Sequence, residues 1–213
     1  MRNIDEALAT LERSFGPPRK LVSKVDLDIE YRTEDLAGLV VFIANHMLGI
    51  KRPKIRLGLV KRGGPKRAPA WIEIPEPCPI YGTANFNSLT LTVCFRKHFV
   101  LDAPLATLVS SIAHEMAHVV LNSTSHMRRK DEKFVDLTAM HFGFAEMFSQ
   151  GKVYSNATDG ELANLLTLGD MYGMSSDTKS LLGELALDNQ ILGYLSMAEV
   201  RYACTALGTA RSK

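Results

Sequence analysis

Residues 104–123, PLATLVSSIAHEMAHVVLNS, constrain this chain more than any other stretch, because their apolar positions repeat with the helical period. Leu105, Leu108, Val109, Ile112, Met116, Val119 and Val120 fall on one stripe, while Thr107, Ser111, His114 and His118 fall on the opposite side. Asp102-Ala103-Pro104 supplies an N-cap signal, so the spacing predicts a helix from there to about Leu121, broken by Asn122-Ser123. Whatever fold the chain adopts must bury that stripe and leave the polar side for other work.

On the polar side stands HEMAH, His114 to His118. Two imidazoles one helical turn apart project from one face toward one point, which is what a zinc ion with two nitrogen ligands needs. A third protein ligand would leave one tetrahedral position for a water that the metal acidifies toward neutral pH. Glu115 then lies beside that water and can act as general base, taking its proton and passing it to a leaving amine. The competing reading is a pair of ordinary hydrogen-bonded histidines on an amphipathic helix. With 6 His and 12 Glu among 213 residues, composition alone produces such a motif in roughly 1% of chains.

Downstream, DEKFVDLTAMHFGFAEMF predicts a second helix from about Asp131 to Phe148, closed by Gly151. Glu132, Asp136, Ala139 and Gly143 share one stripe of it, and the small residues there would let it approach the metal helix closely. Both carboxylates are candidates for the third ligand, and Glu132 has one more methylene with which to span an interhelical gap of about 8 to 10 Å. Asp136, one turn on, is then placed to accept the other ring N–H of His114 or His118. His126 and His141 are the alternatives, although His126 falls in a loop-like stretch and His141 on the far side of its helix from Glu132. Near the site, His126 could instead stabilise a developing oxyanion.

The HExxH motif followed, 14 residues after His118, by Glu-x-x-x-Asp resembles the gluzincin metallopeptidases, the thermolysin-like group. That resemblance implies Glu132 as third ligand, Asp136 as the group orienting a histidine, and one zinc per chain. It also implies a substrate backbone laid along an edge strand, for which Leu89 to Cys94 is the candidate. A metzincin would carry a third histidine at position 124, which here is Thr124.

Around these helices the chain reads as α+β. Residues 3–14 form an amphipathic helix ended by Gly16-Pro17-Pro18, and a second helix runs from about Thr33 to Leu48-Gly49. Ile55 to Val60 and Ala70 to Ile74 read as strands joined into a hairpin by Gly63-Gly64-Pro65. NSLTLTVC, residues 87–94, alternates as a half-buried strand does. Residues 158–210 read as two or three helices separated by Gly173 to Asp177 and by Gly193, with Leu192, Leu195, Val200 and Ala203 as packing positions. The expectation is one zincin-like metallopeptidase domain over residues 1–213: helices plus sheet in 1–100, metal-binding helices in 101–150, and a helical C-terminal part in 151–213. Its small antiparallel or mixed sheet should pack on the HExxH helix.

Composition adds bounds. A hydrophobic share of 46% suffices for a core, and 25 basic against 23 acidic residues give no global charge that would imply nucleic acid or membrane. Locally, Lys51, Arg52, Lys54, Arg56, Lys61, Arg62, Lys66 and Arg67 occur without an acidic residue among them. A nucleic-acid surface is one reading of that run, and a charged strand edge guarding against aggregation is the favoured one. Trp71, beside it, reads as core. Cys78, Cys94 and Cys204 are too scattered for a disulfide framework or a CxxC metal site, Cys94 being read as a small buried residue. The N-terminus lacks the continuous apolar run of a signal peptide, and no stretch nears the roughly 18 to 20 residues that cross a bilayer, so a cytoplasmic protein is expected. Its partner would be a protein or peptide substrate, with nucleic acid a possibility not favoured. A non-catalytic binding module using residues 51–67 is the alternative, and the intact Glu115 argues against it.

Overall fold

The computed structural model describes residues 2–49, 52–61, 64–65, 68–151, 153–154, 190–191 and 194–209. It is an α+β structure of mainly helical content with a small mixed sheet. Helix α1 (Arg2–Phe15) buries Ile4, Ala7 and Leu11 at three- and four-residue spacing and ends at Gly16, whose φ of 81° few other residues tolerate. Helix α2 (Lys24–Leu48) starts earlier than expected, because Ser23 caps it by accepting from the Val25 N–H at 3.1 Å. The start expected near Thr33 corresponds to a kink: Asp35 has φ 63°, and its side chain accepts from the Ala37 N–H at 2.6 Å, capping the second half afresh.

Strands β1 (Lys54–Val60) and β2 (Ala70–Ile72) do not form the expected hairpin. Between them lies β3 (Thr90–Arg96), parallel to β1 with Lys54 opposite Thr90 and antiparallel to β2 with Ala70 opposite Phe95. The stretch expected to be an edge is therefore the central strand, and its Thr alternation marked which face is buried rather than where in the sheet it sits. Leu91, Val93 and Phe95 point into the core together with the half-buried Ile55 and Leu57. Lys54, Arg56 and Thr90 are exposed on the other face. Trp71 shares that outer face and is half-buried rather than core; the Gly64 backbone lies over its indole, and the Arg96 guanidinium sits 5.9 Å from its ring.

After short helices α3 (Ala84–Asn87) and α4 (Lys97–Asp102), α5 (Leu105–Ser123) carries the HEMAH segment. Asp102 closes α4 instead of capping α5, whose first turn begins at Pro104. Helix α5 is more enclosed than its stripe predicts, since Thr107, Ser110 and Ser111 on the polar side are buried too. Their hydroxyls are satisfied: Thr107 donates to the Gly151 carbonyl at 3.1 Å, and Ser110 and Ser111 donate to the Thr107 carbonyl at 3.0 and 2.9 Å.

The second helix of the pair is interrupted. It comprises α6 (Glu132–Ala139), capped by Asp131, a π-helical turn (Met140–Phe144), and α7 (Ala145–Gly151). Gly143, at φ 107°, does not face α5 as expected: a Cβ there would lie 2.5 Å from the Lys20 carbonyl oxygen. The segment after α1 grips this turn, with Arg19 N–H on the His141 carbonyl and Val22 N–H on the Gly143 carbonyl, both at 2.9 Å. Gly151 makes the close approach to α5 instead. Beyond it, β4 (Val153–Tyr154) pairs antiparallel with β5 (Gln190–Ile191). Helix α8 (Met197–Thr209) buries Val200, Ala203 and Leu207, and packs on α7. The other expected C-terminal helices, Gly173 to Asp177, Leu192 and Gly193 lie outside the described residues.

Candidate metal centre

The turn between α5 and α6 brings the second helix back along the first. His126 N–H closes it on the Leu121 carbonyl at 2.9 Å, and Arg128 pairs with Asp131 at 2.6 Å as Asp131 caps α6. His118 consequently faces Glu132, and His114 faces both Glu132 and Asp136.

Three atoms converge there. Glu132 Oε2 lies 3.4 Å from His114 Nε2 and 3.3 Å from His118 Nε2, and the three ligand atoms are within 4.8 Å of one another. Atoms bound ~2.0 to 2.1 Å from one tetrahedral ion stand roughly 3.3 to 3.4 Å apart. Glu132 Oε2 is buried and has no hydrogen bond of good geometry, the condition of an atom shaped for a ligand outside the protein. The donor set fits a metal ion, and His114, His118 and Glu132 are the residues that would hold it. The His114, His118 and Glu132 side chains keep 14%, 20% and 35% of their exposure, while Glu132 Oε2 itself is buried.

Asp136 is fully buried behind the site. Its Oδ1 accepts from His114 Nδ1 at 2.8 Å, which fixes the ring's tautomer and leaves Nε2 free to face Glu132. Its Oδ2 accepts the backbone N–H groups of Tyr194 at 2.6 Å and Leu195 at 3.2 Å. The Tyr194 ring stacks on His114 with centroids 6.0 Å apart and planes 22° apart. Neither residue was expected here from the sequence, because a backbone donor leaves no mark on residue type.

The electrostatics follow from this crowding. Burial lowers the pKa of His114, but the hydrogen bond to Asp136, the nearby Glu132 carboxylate and the Glu115 charge outweigh it and bring it up to about 10. The His114 and His118 imidazoles, 3.4 and 3.3 Å from its Oε2, bring Glu132 down to about 2. Glu115, 9% exposed on the same helix, is pushed up by burial, against the pull of both histidines and of the Ile72 N–H from β2. A carboxylate with a raised pKa holds a proton more readily than a free one.

The alternative ligands are elsewhere. The His126 ring stacks on Phe134 at 4.8 Å and on Phe15 at 6.0 Å. Its Nδ1 accepts from Arg128 N–H, and its Nε2 lies 3.4 Å from Ser14 Oγ, so neither nitrogen serves the site as ligand or oxyanion donor. His141 directs Nε2 to the Gly16 carbonyl at 3.0 Å. All three cysteines are free, with Cys94 buried. Of the basic run, Lys54, Arg56 and Lys61 are exposed along or just after β1, while Lys51, Arg62, Lys66 and Arg67 lie outside the described residues. No helix among the described residues is long and apolar enough to cross a membrane. No family model, curated protein or solved structure matches the chain.

Proposed function

We propose that this chain is a zinc-dependent peptidase of the gluzincin type, hydrolysing protein or peptide substrates in the cytoplasm, with Glu115 as general base. The observation that carries the reading is the convergence of His114 Nε2, His118 Nε2 and Glu132 Oε2 on one point, with the buried Glu115 carboxylate on the same helix. A bound zinc ion would supply Lewis acidity at that point. Glu115 takes a proton from the attacking water on a carboxylate oxygen and returns it to the leaving amine, work for which its upward-shifted pKa fits it. Asp136 holds the His114 ring in the orientation that keeps Nε2 on the site.

A sheet packed on the metal helix belongs to the same reading, with one change. The strand reaching Glu115 is β2, an outer strand of the sheet, so β2 rather than β3 is the edge along which a substrate backbone would lie.

Metal analysis of the purified protein together with the Glu115→Gln variant tests the proposal. About one zinc per chain is expected in both proteins, with peptide hydrolysis in the parent only. A parent that takes up no zinc on titration, or a Glu115→Gln variant that cleaves as fast as the parent, would overturn it.

A further inference from the structure

The residues that hold Asp136 from behind belong to the start of the C-terminal helix. Ser196 and Glu199 cap that helix reciprocally: Glu199 Oε2 accepts the Ser196 N–H at 2.6 Å, and Ser196 Oγ accepts the Glu199 N–H at 3.2 Å. The other Glu199 oxygen receives Lys133 Nζ from α6 at 2.8 Å. One turn along α6 from Lys133 is Asp136, which takes the Tyr194 and Leu195 amides. The buried Leu195, Val200, Ala203 and Leu207 and the Cys204 thiol, donating to the Ala145 carbonyl at 3.3 Å, set how α8 sits. One buried carboxylate thus joins the His114 ring to a chain segment 58 positions beyond Asp136.

We propose that α8 is a working part of the metal centre: metal loading and the docking of Tyr194 and Leu195 strengthen each other through Asp136. The proposal rests on the reading of His114, His118 and Glu132 as metal ligands. A carboxylate with no access to water must have its oxygens satisfied, and removing one set of partners leaves charge buried without compensation. The two amides fix the plane of Asp136, and through Oδ1 that plane fixes the tilt of His114. Conversely, an ion on Nε2 holds the ring, keeps Nδ1–H on Oδ1, and holds Asp136 where it meets the amides. Coupling of this kind is reciprocal, so the effect of docking on metal affinity equals the effect of metal on docking. Tyr194 and Leu195 act here as positioning residues through their backbone N–H groups. The Tyr194 ring, 57% exposed, is additionally a wall beside His114.

Hydrogen exchange on the full chain with and without saturating zinc reads the coupling directly. Zinc should slow exchange of the Tyr194 and Leu195 amides and of the first turn of α8, leaving α2 unchanged. A pair of variants reads the converse. Tyr194→Ala removes the ring beside His114 but keeps the amide, and should weaken zinc binding much less than Tyr194→Pro, which removes both and should weaken it roughly 10- to 100-fold. Replacing zinc by cobalt(II) adds a spectroscopic signature: the visible bands should shift further in Tyr194→Pro than in Tyr194→Ala. Unchanged exchange at saturating zinc, or a folded Tyr194→Pro variant with the parent's affinity and spectrum, would overturn the proposal. Should that variant fail to fold, the exchange result on the parent decides alone. A parent that shows the coupling but hydrolyses no peptide removes only the peptidase reading. A parent that hydrolyses peptides without the coupling removes only this one, and a parent that binds no zinc removes both.

Discussion

Glu132 and Asp136, one helical turn apart, address opposite edges of one imidazole: Glu132 Oε2 lies 3.4 Å from His114 Nε2, and Asp136 Oδ1 lies 2.8 Å from His114 Nδ1. The two carboxylates therefore have different consequences when removed. Glu132→Ala deletes a ligand atom and should reduce zinc binding severely, whereas Asp136→Ala should cost roughly 10- to 100-fold while leaving a site. Zinc titration of both variants distinguishes them, and the assignment reverses if Glu132→Ala holds zinc like the parent and Asp136→Ala does not.

Metal uptake should release a proton. Burial lowers the His114 pKa, but Asp136, Glu132 and Glu115 outweigh it and bring it up to about 10, so the metal-free ring is expected to carry a second proton at pH 7. An ion must displace that proton, so apparent zinc affinity rises with pH across the neutral range. Calorimetric titration in buffers of differing ionisation enthalpy measures the released proton. A binding enthalpy independent of the buffer would show that His114 is already neutral.

The Lys133–Glu199 pair gives a stability test with a defined direction. Lys133 first, and then the Ser196 amide, bring Glu199 from its ordinary 4.5 down to about 2. A depressed folded pKa stabilises the fold fully above about 4.5, and that stabilisation is lost as pH falls toward 2. Glu199→Gln should therefore melt slightly below the parent at pH 6, and the two curves should converge near pH 2. The difference is small because Lys133 is half-exposed. A gap that widens with acid contradicts the pairing.

Two glycines should respond to alanine with opposite signs. At Gly151 a Cβ would lie 2.5 Å from both the carbon and the oxygen of the Ala106 carbonyl, so Gly151→Ala forces α7 off α5 and should cost ~1 to 3 kcal/mol. Gly208, in the last turn of α8, has nothing within 4 Å, and Gly208→Ala should stabilise by ~0.4 to 1 kcal/mol. Thermal melts of the two variants check both signs.

The cluster at the site was legible because its parts are local: two histidines four apart, two carboxylates four apart, and a short turn between their helices. Which carboxylate meets which nitrogen of His114 depends on how the two helices face each other, and neither helix's sequence states that. Less was legible where pairing is remote. Gly63-Gly64-Pro65 signals a chain reversal, but a reversal does not say which strands hydrogen-bond, and β3 inserted itself between the two expected hairpin arms. His126 looked free for chemistry because nothing in sequence announces that Phe15 and Phe134 will stack on it. Gly143 was read for its small size, when its positive φ is what the π-helical turn uses.

The strand order also bears on how the chain is made. β1 is complete long before its partner exists, since Lys54 pairs with Thr90, 36 positions later, and β2 must wait for residues 93 to 95. With no hairpin to nucleate it, this sheet pays its loop-closure entropy before any ladder forms, which slows folding relative to the neighbouring helix pair. During synthesis β1 therefore emerges from the ribosome as an unpaired strand with Ile55, Leu57 and Leu59 uncovered. Lys54 and Arg56 on that strand, and Lys61 just after it, then keep neighbouring nascent chains from adding to it until β3 arrives.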